Sequence, residues 1–276
     1  MCKVLQVSAS SYYYWLKHPV GLREQSSQAL LLQIKRVYEK SRCRYGSPRI
    51  TKELNHAGIP VSRPRVARVM KKANIKSIVR HKYRIQTTDS RHGYKVAHNH
   101  LQQNIHTERL AEKWVSDLTY IKTEEGWLYL TTVIDLADRK VVGWALSENM
   151  RAEETTVAAF KMATGNRAVI RPLLFHSDRG VQYACSDFTD ELKKWPITQS
   201  MSRKGNCWDN AVAESFFKSL KTEMVYHNTF RTKAEARLAI FEYIEVWYNR
   251  QRSHSAIGYI TPCQKEKLLI NNKISA

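Results

Sequence analysis

Acidic side chains are scarce in this sequence. Its 276 residues hold 25 Asp or Glu against 45 Lys or Arg, for a net charge of +20. Charge of one sign repels itself, so the surplus needs a reason: a solubilising surface is the bland one, a polyanionic partner the specific one. Cysteines are few. Cys2, Cys43, Cys185, Cys207 and Cys263 are odd in number and form no CxxC pair. That argues against a disulfide scaffold or a cysteine-rich zinc site and for a reducing compartment. His98, His100 and His106 lie close together, but without a paired ligand set. No apolar stretch reaches the roughly 18–20 residues that cross a bilayer, and no signal-peptide core opens the chain. The expectation is a cytoplasmic protein with no membrane partner.

What is present is ordinary in bulk and unusual in distribution. Hydrophobic residues make up 43% and charged residues 25%, as in soluble folded proteins of one large domain or two to three small ones. Residues 1–106 hold 21 Lys or Arg against 4 Asp or Glu, whereas residues 107–276 hold 24 against 21. A polyanion-binding module joined to a nearly neutral partner fits that split. The first part has helical periodicity. Residues 29–38 carry apolar side chains at three- and four-residue spacing, and Ser47-Pro48 opens a helix closed by the turn at His56-Ala57-Gly58. Ser62-Arg63-Pro64 opens another, with Val66, Val69 and Met70 inward and Arg65, Arg68, Lys71 and Lys72 around them. Two short helices across a Gly-containing turn, the second rich in Arg, have the pattern of a helix-turn-helix; a plain bundle with a basic face has it too. Residues 76–108 are polar and basic, a linker that either follows DNA or simply tethers.

From Lys113 the period changes to that of strands. Residues 114–122, 126–136 and 140–146 read as three strands, the last two joined by a turn at Asp135–Asp138. A helix over 152–163, a strand at 173–176, a helix over 188–195, a strand at 197–201 and a long helix from about 209 to 225 follow. That order predicts a mixed α/β sheet with helices on both faces. Residues 233–250 read as one amphipathic helix with Ala236, Ile240, Tyr243, Ile244 and Trp247 inward.

Three acids stand out. Asp117 lies mid-strand in Trp114-Val115-Ser116-Asp117-Leu118-Thr119-Tyr120, where a carboxylate among apolar neighbours is costly unless something binds it. Asp178, in Phe175-His176-Ser177-Asp178-Arg179-Gly180, follows a strand, and strand ends are where open sheets gather ligands. Glu214, in Asn210-Ala211-Val212-Ala213-Glu214-Ser215, sits on the long helix. Sixty residues lie between the first two acids and 35 between the second two. At 100° per residue, Asn210, Lys218 and Lys221 fall within about 40° of Glu214, giving a stripe suited to metal and phosphate together, with Val212, Phe216 and Leu220 toward the core. Carboxylates converging from two strands and a helix can hold a pair of hard divalent cations for phosphoryl transfer. The other acids read as structural: Asp135 and Asp138 as turn residues, and Asp187, Asp190 and Asp209 as caps or first-turn acids.

On these residues the chain resembles the larger, second-reading-frame product (OrfB) of bacterial insertion sequences of the IS-three family. It is similar more widely to retroviral integrases with Asp-Asp-35-Glu spacing. Tyr45-Gly46-Ser47-Pro48-Arg49-Ile50 resembles the family's helix-turn-helix signature, and the runs around Asp117 and Asp178 resemble its first two acid motifs. Residues 202–211, leading to Glu214, resemble the third, and Tyr248-Asn249-Arg250-Gln251-Arg252-Ser253-His254 resembles the C-terminal signature. The resemblance implies an RNase H-like core over 109–225, after a helix-turn-helix region at 1–75 and the linker at 76–108, with a helical extension at 226–276. It implies a transposase that nicks element ends and transfers the 3′-hydroxyls to new DNA, with Asp117, Asp178 and Glu214 holding two Mg²⁺ or Mn²⁺ ions. Arg49, Arg65, Arg68, Lys71, Lys72, Arg179, Lys204, Asn210, Lys218 and Lys221 are the expected DNA contacts. The partners implied are terminal inverted repeats, target DNA, further copies of the chain, and an upstream-frame product or its frameshift fusion. A catalytically dead DNA-binding regulator and a plain nuclease of the same fold are the alternatives.

Overall fold

A computed structural model describes residues 1–17, 21–79, 93–203 and 207–274. The chain divides into two compact units, residues 1–80 and 81–276.

The first unit is helical: α1 (Ala9–Lys17), α2 (Leu22–Lys40), α3 (Ser47–His56) and α4 (Arg63–Lys72). Pro48 and Pro64 sit in the first turns of α3 and α4, where a missing N–H breaks no helical bond. Leu30 and Ile34 of α2 pack with Ile50, Leu54, Val66 and Met70 in a small apolar centre; Val69, expected inward with them, is only half-buried. The α3–α4 turn passes through Gly58 at φ +78°, a left-handed conformation that costs a glycine least. Asn55 Oδ1 accepts from the Val61 N–H at 2.9 Å and fixes where the chain re-enters the helix.

The second unit is built on five strands: β1 (Lys113–Thr123), β2 (Gly126–Asp135), β3 (Val141–Ser147), β4 (Leu173–Ser177) and β5 (Ile197–Met201). The sheet order is β3-β2-β1-β4-β5. The first three strands pair antiparallel, and β4 and β5 extend β1 in parallel. This is the mixed sheet of an RNase H-like fold. Between β3 and β4, a π-helical turn at Glu153–Val157 leads into α5 (Ala158–Asn166). The sequence predicts a single α-helix here. The first turn widens where the buried threonines bond to backbone: Thr155 Oγ1 donates to Arg151 O at 2.7 Å, and Thr156 Oγ1 to Gln182 O at 3.0 Å. The short helices α6 (Val181–Ala184) and α7 (Ser186–Leu192) precede β5. The turn Cys207–Asn210 leads into α8 (Ala211–Glu223). Trp114, Phe160, Phe175 and Phe188 form the aromatic centre of the core, with Phe160 edge-on to the other three.

The C-terminal residues pack onto this unit. The inward face predicted for 233–250 is correct, but the helix is α9 (Lys233–Phe241) continued as a π-helical segment, Glu242–Tyr248. Asn249 gives and takes a 3.0 Å bond with the backbone of Val141 and so occupies part of the open edge of β3. A further helix, α10 (Pro262–Ile274), lies within the helical extension that the resemblance implies, though periodicity does not mark it. Its Glu266 joins a buried ion cluster: Arg167 bonds Asp135 at 2.6 Å, Asp138 at 2.7 Å and Glu266, which also takes Lys140 at 2.7 Å. Asp135 and Asp138 are therefore more than turn residues. Asp135 also accepts from the Ala111 N–H and Trp114 Nε1, joining the start of β1 to the end of β2.

Candidate active site

The strands bring the first two acids together. β1 and β4 run parallel with Lys113 beside Leu174 and Val115 beside His176. Continuing that register by two residues brings Asp117 level with Asp178, the first residue past β4, and paired strands run about 4.8 Å apart. Asn210, at the mouth of α8, donates through Nδ2 to the carbonyl of Ser116 at 3.0 Å. Glu214 lies one helical turn beyond Asn210 on the same stripe. Each acid thus has a structural reason to stand near the others.

Their electrostatics agree. Asp117 is held well above the usual carboxylate range, first by burial, then by the charge of Asp178 and also by that of Glu214. The Leu118 N–H on its Oδ1 (2.8 Å) and the Lys221 ammonium pull the other way. Glu214 is raised by desolvation and then by Asp178. Three anions that penalise one another in a desolvated corner form a place where a cation is favoured. Among the described residues, no three His, Cys, Asp or Glu side chains stand close enough as placed to enclose a metal ion. Asp178 is oriented by the Gly180 N–H on its Oδ1 at 2.9 Å. A Cβ at Gly180 would press on that same oxygen at 3.1 Å, so the turn after Asp178 suits glycine.

The stripe on α8 differs from its helical-wheel projection. Glu214 and Lys218 are exposed, but Lys221 is only 7% exposed and Asn210 only 4%. Burial lowers the Lys221 pKa and the neighbouring Asp117 raises it, so this lysine belongs beside the acids. Asn210, expected to contact DNA, instead ties α8 to β1; its buried amide lies in the protein interior. The inward face is Ala213, Phe216, Phe217 and Leu220, whereas Val212 is half-buried. Arg179 donates through Nε to Ser202 O at 2.7 Å. Lys204 lies outside the described residues.

In the first unit Lys71 is exposed and the Arg49 guanidinium lies 5.5 Å over the Tyr45 ring. Arg65 reaches Ser26 of α2, Arg68 Nε reaches Pro64 O at 3.4 Å, and Lys72 pairs with Glu24 at 2.8 Å. With Arg23, the last three line a cleft of about 620 Å³ between α2 and α4. The basic surface of this unit therefore includes α2, which the reading centred on α3 and α4 leaves out.

Other polar residues around the site also escaped sequence reasoning. His176 is buried between Ser200 Oγ (2.8 Å) and Ser202 Oγ (3.1 Å), and burial depresses its pKa to about 4, so the ring is neutral. Ser116 Oγ meets Tyr183 OH at 2.8 Å. Asp209 accepts from Asn99, Gln103 and Arg203, anchoring the turn before α8 where a simple cap was expected. His176 stands inside the motif around Asp178; Ser116 with Tyr183, and Asn99 and Gln103 with Asp209, are 67 or more residues apart and leave no local signature.

Known proteins resemble this chain over most of its length. An integrase core domain family matches residues 108–207, a second integrase core domain family matches 214–268, and an HTH-like domain family matches 25–83. The chain is 42% identical to the insertion element IS600 31 kDa protein of Shigella sonnei over 262 residues, covering 95% of this chain and 96% of that one. It is 38% identical to the transposase InsF for insertion sequence IS3A of Escherichia coli over 268 residues, 96% of this chain and 92% of the relative. Among solved structures, a chain of the simian T-cell lymphotropic virus intasome aligns with a TM-score of 0.48 and 14% identity over 84% of this chain and 73% of that one. The BIV integrase catalytic core aligns at 0.43 and 17%, over 60% and 97%. The chain belongs to the IS3-family insertion-sequence transposases and is an enzyme of the DDE transposase/integrase class.

Proposed function

We propose that this transposase cuts the ends of its element to expose 3′-hydroxyls and joins them to a phosphodiester in target DNA. What supports this reading is geometric: parallel β1 and β4 carry Asp117 and Asp178 the same way, Asn210 ties the Glu214 helix beside Asp117, and buried Lys221 adjoins them. A DNA-binding regulator has no need to gather these acids in one corner, two of them raised by burial and by a neighbour's charge. Strand joining forms one phosphorus–oxygen bond as it breaks another, so the protein's share is positioning and charge stabilisation, with no covalent enzyme intermediate.

The three acids are the residues that would hold two Mg²⁺ or Mn²⁺ ions, since carboxylate oxygens are the hard donors these ions take. When bound, such ions neutralise phosphate oxygens and promote ionisation of the attacking water or hydroxyl. Glu214 is on the exposed side of α8 and would supply the third carboxylate from there. Lys221 and Lys218 are set to meet phosphate oxygens along the same helix, with Arg179 and Lys204 nearby in sequence to the second acid and to α8. The surplus charge of residues 1–106 and the α3–α4 pair support recognition of terminal inverted repeats, through Arg49, Arg65, Arg68, Lys71 and Lys72. Joining two ends requires at least two copies on the DNA, alone or with an upstream-frame product.

The test is direct. Full-length chain is incubated with labelled duplexes of the element's own ends, target DNA and Mg²⁺ or Mn²⁺. Labelled ends covalently joined to target are expected. Binding with neither cutting nor joining under either cation would establish the regulator instead, and cutting without joining the nuclease.

A further inference from the structure

The C-terminal signature Tyr248–His254 is absorbed by no step of the reaction, yet two of its buried side chains, Tyr248 and Arg252, contact α8. Arg252 is 4% exposed. It bonds Glu223 through Nε (3.0 and 3.1 Å) and Nη2 (2.8 Å), and its Nη2 also reaches Ser219 Oγ at 3.2 Å. Its guanidinium lies 5.6 Å from the centre of the Tyr248 ring, and that ring packs edge-on against Phe216 at 4.8 Å. Glu223 also takes Tyr243 OH at 3.0 Å and Trp247 Nε1 at 3.1 Å. The contacts on α8 are therefore Phe216, Ser219 and Glu223, at spacings of three and four residues. They run down one side of the helix from two residues past Glu214 to its last residue.

We propose that Arg252 is a positioning residue for Glu214: with Tyr248 it braces α8 along two turns and fixes where the helix presents the third acid to Asp117 and Asp178. The inference rests on the reading of those acids as one site. At its other end α8 is held by Asn210 on Ser116, so a helix gripped at both ends has little freedom to slide or rotate. A shift of about 1 Å is enough to lower catalysis a hundredfold when reacting groups must be held in register. Lysine does not replace arginine in this role, because its point charge lacks the planar fork and stacks less well on a ring.

Metal-directed backbone cleavage provides the test. Full-length chain is loaded with Fe²⁺ in place of Mg²⁺, treated with ascorbate and peroxide, and its fragments are mapped. The wild type is expected to be cut beside 117, 178 and 214. In Arg252→Lys and Tyr248→Ala, cutting near 214 is expected to fall several-fold while cutting near 117 and 178 persists. Ser219→Ala, which removes a single contact from a half-buried position, is expected to give a smaller loss at 214 alone. Loss of all three cuts together would mean general loosening of the fold and would overturn the positioning role. So would wild-type cutting at 214 in folded Arg252→Lys, or in Ser219→Ala should the other variants not fold. A wild type uncut at every site removes the metal-site reading, and the inference with it, and is distinct from either pattern.

Discussion

The amide of Asn210 donates to the carbonyl of Ser116 at 3.0 Å, and this single bond fastens the first turn of the Glu214 helix to the residue directly before Asp117. Both partners are buried. Asn210→Leu keeps the volume and removes the donor, leaving a buried carbonyl without this partner, at a cost of about 1–3 kcal/mol. The expected result is a lowered denaturation midpoint and a larger fall in DNA joining than in DNA binding. Equal falls in both would reduce the bond to general stability.

Asp209 makes stability depend on pH in a defined direction. Burial acts to raise its pKa, but hydrogen bonds from Arg203 and Gln103 and the Arg203 charge outweigh it, and the net effect is a fall from 3.8 to about 2. The unfolded chain then binds this proton more readily than the folded one. The stabilisation is complete above about pH 4 and is lost as pH falls from there toward about 2. Denaturant titrations across that window are expected to show a stability loss in the wild type that is smaller in Asp209→Asn, with the variant already weaker at neutral pH.

Arg167 is the only cation shown bonding both Asp135 and Asp138 among the described residues, and all three side chains are buried. Arg167→Met leaves two carboxylates in the interior without their partner. Removing one member of a buried ion pair destabilises by about 3–5 kcal/mol. Urea unfolding of the second unit checks this; a change under about 1 kcal/mol would show that water or Lys140 takes over the charge.

How far the sequence carried these conclusions differs by kind of interaction. The ends of α3 are legible in the sequence because a first-turn proline and a glycine turn act locally. Asp117 draws the eye because a mid-strand carboxylate is out of keeping with its apolar neighbours, whereas Asp178 and Glu214 are singled out by a strand end and a helical stripe. Arg167 with Asp135 was not, since partners 32 residues apart leave no local signature. Helical projection placed Lys221 on an exposed stripe with Lys218; the sheet beneath α8 buries one and leaves the other in solvent. Periodicity does not mark α10 because its polar run lacks a clear apolar stripe. The π-turns before α5 and after α9 read as ordinary helix in the sequence, and after α9 the inward residues are still correct, because widening a turn by one residue barely changes the apolar period.

Gly143 on β3 shows how closely strand and helix approach. A Cβ there would overlap the Ala159 carbonyl and come within 2.7 Å of the Ala163 Cβ, so the backbones of β3 and α5 would have to separate. Gly143→Ala is expected to destabilise by roughly 1–3 kcal/mol or more, as overpacking does, and to lower the thermal midpoint. A neutral effect would mean that α5 shifts without strain.

The most direct measurement compares Asp117→Asn, Asp178→Asn and Glu214→Gln with the wild type in divalent-dependent joining of labelled element ends, with DNA binding measured on the same samples. Loss of joining in all three, with binding retained, is the predicted result. Joining at the wild-type level in any one of them would remove that acid from the site and contradict the account.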